Sequence, residues 1–121
     1  MTRIKRGVAA HKKHKKLLGL AEGRRGAKRK LVRPAREAAM HALAYAYRDR
    51  RARKGEFRAL WIARINAASR QAGVSYSHLM AAMRTAGIQL DRKVLADMAV
   101  RDPKVFRHYA ELAKEKTQKS S

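Results

Sequence analysis

The feature of this sequence that most limits its fold is an excess of basic charge concentrated in the N-terminal half. The 121 residues contain 31 Lys and Arg against 9 Asp and Glu, a net charge of +22. Residues 1–60 hold 20 basic and 4 acidic side chains, whereas residues 61–121 hold 11 and 5. Like charges at this density repel one another, so the N-terminal half is not expected to form a core by itself. The charge pattern predicts a basic extension, a mildly basic folded domain and a polyanionic partner.

The composition also excludes several classes of protein and of site. The chain has no cysteine, which excludes disulfides, thiolate metal sites and cysteine nucleophiles and is compatible with a reducing compartment. No apolar stretch follows the first residues, so we expect no secretory signal. The most apolar segment, residues 38–47, is too short to span a bilayer. We therefore predict a soluble protein that has no membrane as its partner.

An N-terminal arm, residues 1–33, is basic and lacks apolar periodicity. Alone, such a segment buries too little apolar area to offset the entropy lost on ordering. We expect it to be irregular and disordered in isolation and to become ordered on a partner. His11 and His14 have the i, i+3 spacing of metal ligands on a helix, but the neighbouring lysines and the lack of a nearby carboxylate favour RNA contact or plain exposure.

From Pro34 onward the pattern is helical. Pro34 suits the first turn of a helix and Gly73 suits the position just after one, so residues 35–72 are predicted as one long helix that is weakened at Gly55. Three shorter helices are predicted at residues 76–86, 92–101 and 103–114, with Ser75, Asp91 and Asp102 as their N-caps. The predicted fold class is therefore all-α: a long basic N-terminal helical extension followed by a small compact helical C-terminal domain.

Apolar residues at helical spacing predict the core of the compact domain. One stripe lies on the long helix and the others on the three short helices. The predicted core residues are Phe57, Trp61, Ile65, Ala68 and Ala72, then Tyr76, Leu79, Met80 and Met83, then Val94, Leu95 and Met98, and finally Val105, Phe106, Tyr109 and Leu112. A domain of this size is only marginally able to fold alone.

Basic residues surround the long helix at residues 48–58 instead of marking one face of it. At about 100° per residue, they point in nearly every direction around the helix axis. A helix bound at a membrane surface needs a wide apolar face, which this segment lacks. Phosphates approaching from several directions would stabilise it best, as between packed RNA helices. The alternative is a solvated linker helix held by ion pairs to Asp49 and Glu56, each worth about 0–1 kcal/mol.

The remaining candidate residues indicate binding and not catalysis. The sequence has no paired carboxylates, no nucleophile with a base and no Gly-rich phosphate loop, so we predict neither an enzyme nor a cofactor. Trp61 and Tyr76 are more consistent with core packing than with base stacking. Three residues off the apolar stripe are better candidates for RNA contacts: Arg64, Asn66 and Arg70. The sequence leaves open whether Tyr45 and Tyr47 contact riboses or a neighbouring protein.

Several segments together resemble one known family, bacterial large-subunit ribosomal protein L20. The residues that carry the resemblance are Tyr45-Ala-Tyr-Arg-Asp-Arg-Arg51, Phe57-Arg-Ala-Leu-Trp-Ile-Ala-Arg-Ile-Asn-Ala-Ala68, Tyr76-Ser77, Asp91-Arg-Lys-Val-Leu-Ala-Asp97, Arg3-Ile-Lys-Arg-Gly-Val8 and His14-Lys-Lys16. The resemblance covers roughly residues 1–114. It implies a structural protein that binds large-subunit (23S-type) ribosomal RNA directly, aids early subunit assembly and contacts neighbouring ribosomal proteins. Some members of the family also repress translation of their own message.

The resemblance divides the chain by function. Residues 1–58 become a basic extension that penetrates RNA, residues 59–115 an all-helical RNA-binding domain and residues 116–121 a frayed tail. No metal site and no homo-oligomer are implied. The candidate RNA-binding residues are Arg3, Lys5, Arg6, His11, Lys12, Lys13, His14, Lys15, Lys16, Arg24, Arg25, Lys28, Arg29, Lys30, Arg33, Arg48, Arg50, Arg51, Arg53, Lys54, Arg58, Arg64, Asn66, Arg70, Ser77, Arg92 and Lys93.

The chain departs from the family pattern at three positions. Arg24 stands where an aromatic residue usually follows the glycine, which puts a stacking contact there in doubt. Pro34 stands where the family commonly continues its helix, and Gly55 replaces a usual Lys or Arg.

Two other functions remain open. An architectural DNA-binding protein would use the short helices as a helix-turn-helix, although the charge lies mainly outside them. A basic protein chaperone or membrane-surface peptide is the other. The sequence does not distinguish a bacterial ribosome from an organellar one.

Overall fold

The computed structural model describes residues 2–119, apart from the side chain of Thr117, and throughout this range its regular structure is helical. The α-helices are α1 (Gly7–Leu20), α2 (Val32–Gln71), α3 (Tyr76–Thr85), α4 (Arg92–Arg101) and α5 (Pro103–Lys119), with a short 3-10 helix at Gly26–Arg29 between α1 and α2. The all-α prediction is confirmed. The chain divides into two compact units, Met1–Arg51 and Ala52–Ser121, and the division falls within α2.

The arm differs from the sequence prediction, because Gly7–Leu20 forms α1 instead of irregular structure. No side chain of α1 is fully buried, and only Leu17 and Leu18 are half-buried, so packing contributes little to the formation of this helix. Its alanines, leucines and lysines have high intrinsic helix propensity, and no proline interrupts them. Apolar residues at helical spacing indicate only a helix that buries one face. Helix α1 has no such face, so this pattern did not predict it.

Helix α2 begins three residues before the predicted start at residue 35. The amide of Ala35 donates to the carbonyl oxygen of Leu31 at 3.0 Å, which places Pro34 in the first turn, as predicted. A proline there removes no intrahelical hydrogen bond. The helix continues without a break through Gly55.

The end of α2 is built on Gly73, which has a φ of +77°. The amide of Val74 donates to the carbonyl oxygen of Ser69 at 2.9 Å, and the amide of Gly73 donates to that of Arg70 at 3.0 Å. These two bonds define a Schellman motif, in which the residue with positive φ is normally glycine. The predicted role of Gly73 is therefore confirmed.

The predicted caps of α3 and α4 are also present. The Ser75 hydroxyl accepts a hydrogen bond from the amide of His78 at 3.4 Å, and a carboxylate oxygen of Asp91 accepts one from the amide of Val94 at 2.8 Å. At Asp102 the backbone carbonyl accepts from the amide of Phe106 at 3.1 Å. Helix α5 continues to Lys119, beyond the predicted end near residue 114. Ser120 and Ser121 of the predicted tail lie outside the described residues.

The core of the second unit forms where α5 packs against α3 and α4, with the last turns of α2 contributing. Its buried residues are Ile65, Leu79, Met83, Leu95, Ala96, Phe106, Ala110 and Ala113. Small residues on α4 and α5 were missing from the predicted core, because alanine carries little sequence signal but permits close approach of helix backbones. Ser69 is also fully buried, and its hydroxyl donates to the carbonyl oxygen of Asn66 at 2.9 Å.

Three predicted core residues lie instead at the surface. Phe57, Val94 and Val105 keep 49%, 41% and 44% of their surface exposed. Phe57 precedes the part of α2 that faces the core and rests beside Trp61, with a ring-centroid distance of 6.4 Å. Val94 and Val105 are each followed in the sequence by a buried residue, Leu95 and Phe106 respectively. Those two side chains face the core, and the valines do not.

Replacing a glycine with alanine should have opposite effects on the free energy of unfolding at two positions of the second unit. Gly73→Ala should lower the free energy of unfolding by about 1–2 kcal/mol, because alanine is strained at positive φ. Gly55→Ala should raise it by about 0.5–1 kcal/mol, because this glycine is helical and has no atom near the position of an added Cβ. Urea unfolding followed by far-ultraviolet circular dichroism measures both. Changes of the same sign would contradict the local structure described for these two positions.

Candidate nucleic-acid interface

The exposure of the basic side chains separates those available to a partner from those used within the protein. Every Lys and Arg of the chain is exposed except Arg24, Arg92 and Lys114, which are half-buried. The predicted RNA-binding residues lie on every helix except α5 and in the segments on both sides of α1. All of these predicted residues are exposed except Arg24, Arg92 and Asn66.

Helix α1 carries a dense group of exposed cations. Lysines 12, 13, 15 and 16 lie on consecutive turns together with His11 and His14, and all of them are exposed. At about 100° per residue, these positions point around most of the helix circumference. A single flat surface therefore cannot contact all of them, whereas phosphates on several sides can.

The middle of α2 has the same property. Residues 48–58 are exposed throughout, and Arg48 Nε lies 3.0 Å from a carboxylate oxygen of Asp49. Both side chains of this pair remain largely in solvent, where such a pair contributes about 0–1 kcal/mol. The stretch holds six Lys and Arg against two acidic residues, Asp49 and Glu56, so it keeps a net positive charge that attracts an external anion.

Arg24 is held within the protein. Its Nη1 donates to the carbonyl oxygen of Leu20 at 2.9 Å, and its Nη2 donates to that of Ala38 at 3.4 Å. The guanidinium thus satisfies a carbonyl at the end of α1 and links that end to α2. The positive charge also complements the negative end of the α1 dipole. Arg24 was predicted to contact RNA, but two of its N–H groups are used in these bonds and are not available to RNA.

Arg92 is also partly engaged. Its Nε donates to the phenol oxygen of Tyr76 at 2.9 Å, which links the first turn of α4 to the first turn of α3. Tyr76 and Trp61 pack against the core, as predicted in preference to base stacking. Near this link, the hydroxyls of Ser77 and Ser75 are 3.3 Å apart. The sequence-predicted residues Ser77 and Arg92 therefore belong to one polar region at the N-termini of α3 and α4.

A groove between α2 and α4 brings Arg64 and Lys93 together, although 29 positions separate them in the sequence. Asp97 and Arg101 also line it, and their side chains form an i, i+4 ion pair at 2.9 Å. Asp91 lines the groove as well, so its basic residues exceed its acidic residues by one. Asn66 and Arg70 do not line this groove.

Two lysines that sequence reasoning missed act as helix caps from a distance. Lys114 Nζ donates to the carbonyl oxygen of Ala72 at the end of α2, at 2.8 Å. Lys116 Nζ donates to that of Ala86 at the end of α3, at 3.3 Å. Cations near helix C-termini satisfy free carbonyls and complement the helix dipole. No local signal announces these bonds, because the partners lie far apart in the sequence.

Other kinds of site find no support in the described part of the chain. Among residues 2–119 no three His, Asp or Glu side chains are grouped so that they could hold a metal ion. Within the same range no helix has the length and apolar character needed to cross a membrane.

Comparison with known proteins finds one family along most of the chain. The family model described as Ribosomal protein L20 matches residues 3–109. A protein of Roseiflexus castenholzii named large ribosomal subunit protein bL20 is 60% identical over 115 residues, which is 95% of this chain and 98% of that protein. Proteins of the same name from Moorella thermoacetica and Acidithiobacillus ferrooxidans are each 56% identical, over 96% and 94% of this chain and 96% of each relative.

A pair of substitutions separates the effect of the hydrogen bond from Lys114 to Ala72 from the effect of removing a lysine charge. Lys114→Met keeps the length of the side chain and removes the hydrogen bond to Ala72, so the free energy of unfolding should fall by about 1–2 kcal/mol. Lys104→Met, on the exposed part of the same helix, is the matched control and should change stability by less than about 0.5 kcal/mol. Urea unfolding measures both. Equal effects of the two substitutions would mean that the cap contributes nothing to stability.

Proposed function

This chain belongs to the ribosomal protein L20 family, and we propose that it binds large-subunit ribosomal RNA directly and aids early assembly of the subunit. Its family consists of structural proteins of the large ribosomal subunit and not of enzymes. The protein acts there as a single copy among neighbouring ribosomal proteins, in the ribosome of the cytoplasm.

The observation that carries this proposal is the distribution of exposed cations around α1 and the middle of α2. A protein with a net charge of +22 neutralises phosphates of the RNA, and the release of the counterions that had condensed on that RNA favours binding. Folded RNA offers phosphates on several sides of an inserted helix, which matches charges that point in all directions.

The two parts of the chain would then contribute differently. The extension, residues 1–58, supplies phosphate contacts that position the protein but carry little sequence information. The helical domain, residues 59–115, supplies recognition of a folded RNA junction through Arg64 and Lys93 in the groove between α2 and α4. Arg92 and Ser77 lie in the polar region at the N-termini of α3 and α4. Specific RNA recognition of this kind depends on shape and on unpaired nucleotides.

The same surface supports a regulatory role. A protein that recognises a folded RNA junction also binds a similar junction elsewhere, including one in its own message. Translational repression by this route needs no further site on the protein.

A salt series distinguishes ribosomal RNA binding from general binding to nucleic acid. The full chain should bind large-subunit ribosomal RNA more tightly than duplex DNA of equal length at physiological salt. The logarithm of the binding constant should fall with the logarithm of salt concentration, with a slope of about −0.7 to −0.9 for each phosphate contacted. Filter binding or fluorescence anisotropy measures both quantities.

Single substitutions make the assignment more specific. Arg53→Gln should reduce that slope by about one phosphate contact. Arg107→Gln, which removes an exposed guanidinium of α5, is the matched control and should leave the slope nearly unchanged, because no predicted RNA-binding residue lies on that helix. Equal affinity for both polymers at physiological salt would favour an architectural DNA-binding protein over the function proposed.

A further inference from the structure

Two exposed tyrosines lie at the N-terminal border of the most basic part of α2. Tyr45 and Tyr47 keep 51% and 58% of their surface exposed. Being two positions apart, they point in directions about 200° apart around the helix axis. Neither ring belongs to the protein core, so about half of the surface of each residue remains accessible to a partner.

Flat groups flank Tyr45 on both sides along the helix. The His41 ring is stacked one turn before it, with a centroid distance of 6.2 Å and an interplanar angle of 26°. One turn after it, Arg48 Cζ lies 4.6 Å from the centre of the Tyr45 ring. Asp49 holds the same guanidinium through Arg48 Nε at 3.0 Å. These contacts fix the orientation of the ring before any partner arrives.

Tyr47 has its own arginine on the other side of α2. Arg51 Cζ lies 4.3 Å from the centre of the Tyr47 ring. Leu43, one turn before Tyr47, is also largely exposed. The two Tyr–Arg pairs therefore repeat one arrangement on two sides of a single helix.

The chemistry of each pair matches that of an unpaired nucleotide. An aromatic ring and a guanidinium both stack on nucleobases, and the guanidinium also attracts the adjoining phosphate. A partner that covers either ring must also accommodate Arg48 or Arg51 beside it. A nucleotide provides the flat face and the negative charge together, which a purely apolar protein surface does not.

We propose that Tyr45 with Arg48, and Tyr47 with Arg51, are two base-stacking sites that hold unpaired nucleobases of RNA on two sides of α2. This inference rests on the proposed RNA-binding function and makes it more specific. The middle of α2 then contacts bases as well as phosphates, and unpaired bases must lie beside it in the bound RNA.

Ultraviolet cross-linking of the full chain to large-subunit ribosomal RNA tests the contact directly. Irradiation of the complex, nuclease digestion and mass spectrometry identify which residues become joined to nucleotides. We expect adducts at Tyr45 and Tyr47, because bases stacked on an aromatic ring cross-link to it. Adducts confined to other residues of a complex that forms normally would overturn the proposal.

Paired substitutions test stacking against packing. Tyr45→Leu and Tyr47→Leu keep an apolar side chain of high helix propensity, whereas Tyr45→Phe and Tyr47→Phe keep the ring. Each Leu variant should bind the RNA about tenfold more weakly, with an unchanged salt slope because no phosphate contact is removed. Each Phe variant should bind nearly as the unsubstituted protein does. Circular dichroism verifies that α2 is retained.

The outcomes separate this inference from the proposed function. If the unsubstituted protein shows no preference for ribosomal RNA over duplex DNA, both the proposed function and the stacking sites are overturned. A retained preference, with Leu variants that bind as tightly as the Phe variants, would remove the stacking sites alone. Leu variants that keep their RNA affinity but fail to join a subunit reconstituted with other ribosomal proteins would overturn the stacking sites and assign the rings to a protein neighbour.

Discussion

Mutual repulsion among basic side chains is the constraint on which the rest of this structure depends. The N-terminal half has almost no acidic residues to offset its cations, and burying an unpaired cation is costly. Its helices therefore keep their charged side chains in solvent, and among the described residues of the first unit only alanines are buried: Ala21, Ala35 and Ala39. The larger apolar side chains collect in the second unit, where acidic and basic residues are more nearly balanced.

The same constraint explains how the protein uses the few cations that it partly buries. Arg24 and Lys114 each donate to a carbonyl near the end of a helix, and Arg92 donates to a phenol. In each case a hydrogen bond compensates for lost hydration, and at helix ends the dipole adds to the stabilisation. A basic residue in this chain is therefore structural where a backbone or phenol oxygen accepts from it. Where it lies exposed without such a partner, it is available to phosphate.

The sequence predicted those parts of the fold that depend on local chemistry. Gly73, Ser75 and Asp91 act through neighbours within a few residues, so their roles as helix stop and caps were accessible from residue type and position. The ring positions of Trp61 and Tyr76 followed from helical spacing. The failures have a common cause as well. Phe57 and Val105 have core-like spacing, and only the tertiary arrangement shows that the core lies elsewhere.

The candidate site shows the same division between local and distant information. Positive charge on the surface is visible in the sequence, and the exposed cations of α1 and α2 are where it placed them. That Arg64 and Lys93 share a groove, and that Arg24 bonds to Ala38, depends on contacts between distant residues. The roles of Tyr45 and Tyr47 stayed undecided for a different reason. Their spacing to the arginines is local, but an isolated Tyr–Arg pair at i, i+3 or i, i+4 is common and carries meaning only once both rings are known to be exposed.

Those exposed rings bear on how so basic a protein achieves specificity. Phosphate contacts grow with charge but do not distinguish one RNA from another, so additional cations raise affinity for correct and incorrect partners alike. Stacking on unpaired bases strengthens binding only to RNA that presents such bases at the right distance from its phosphates. Two such sites on opposite sides of one helix require two RNA segments to be in place together. A helix of this kind would therefore bind correctly folded RNA more tightly than its charge alone predicts, and this preference is what an aid to assembly needs.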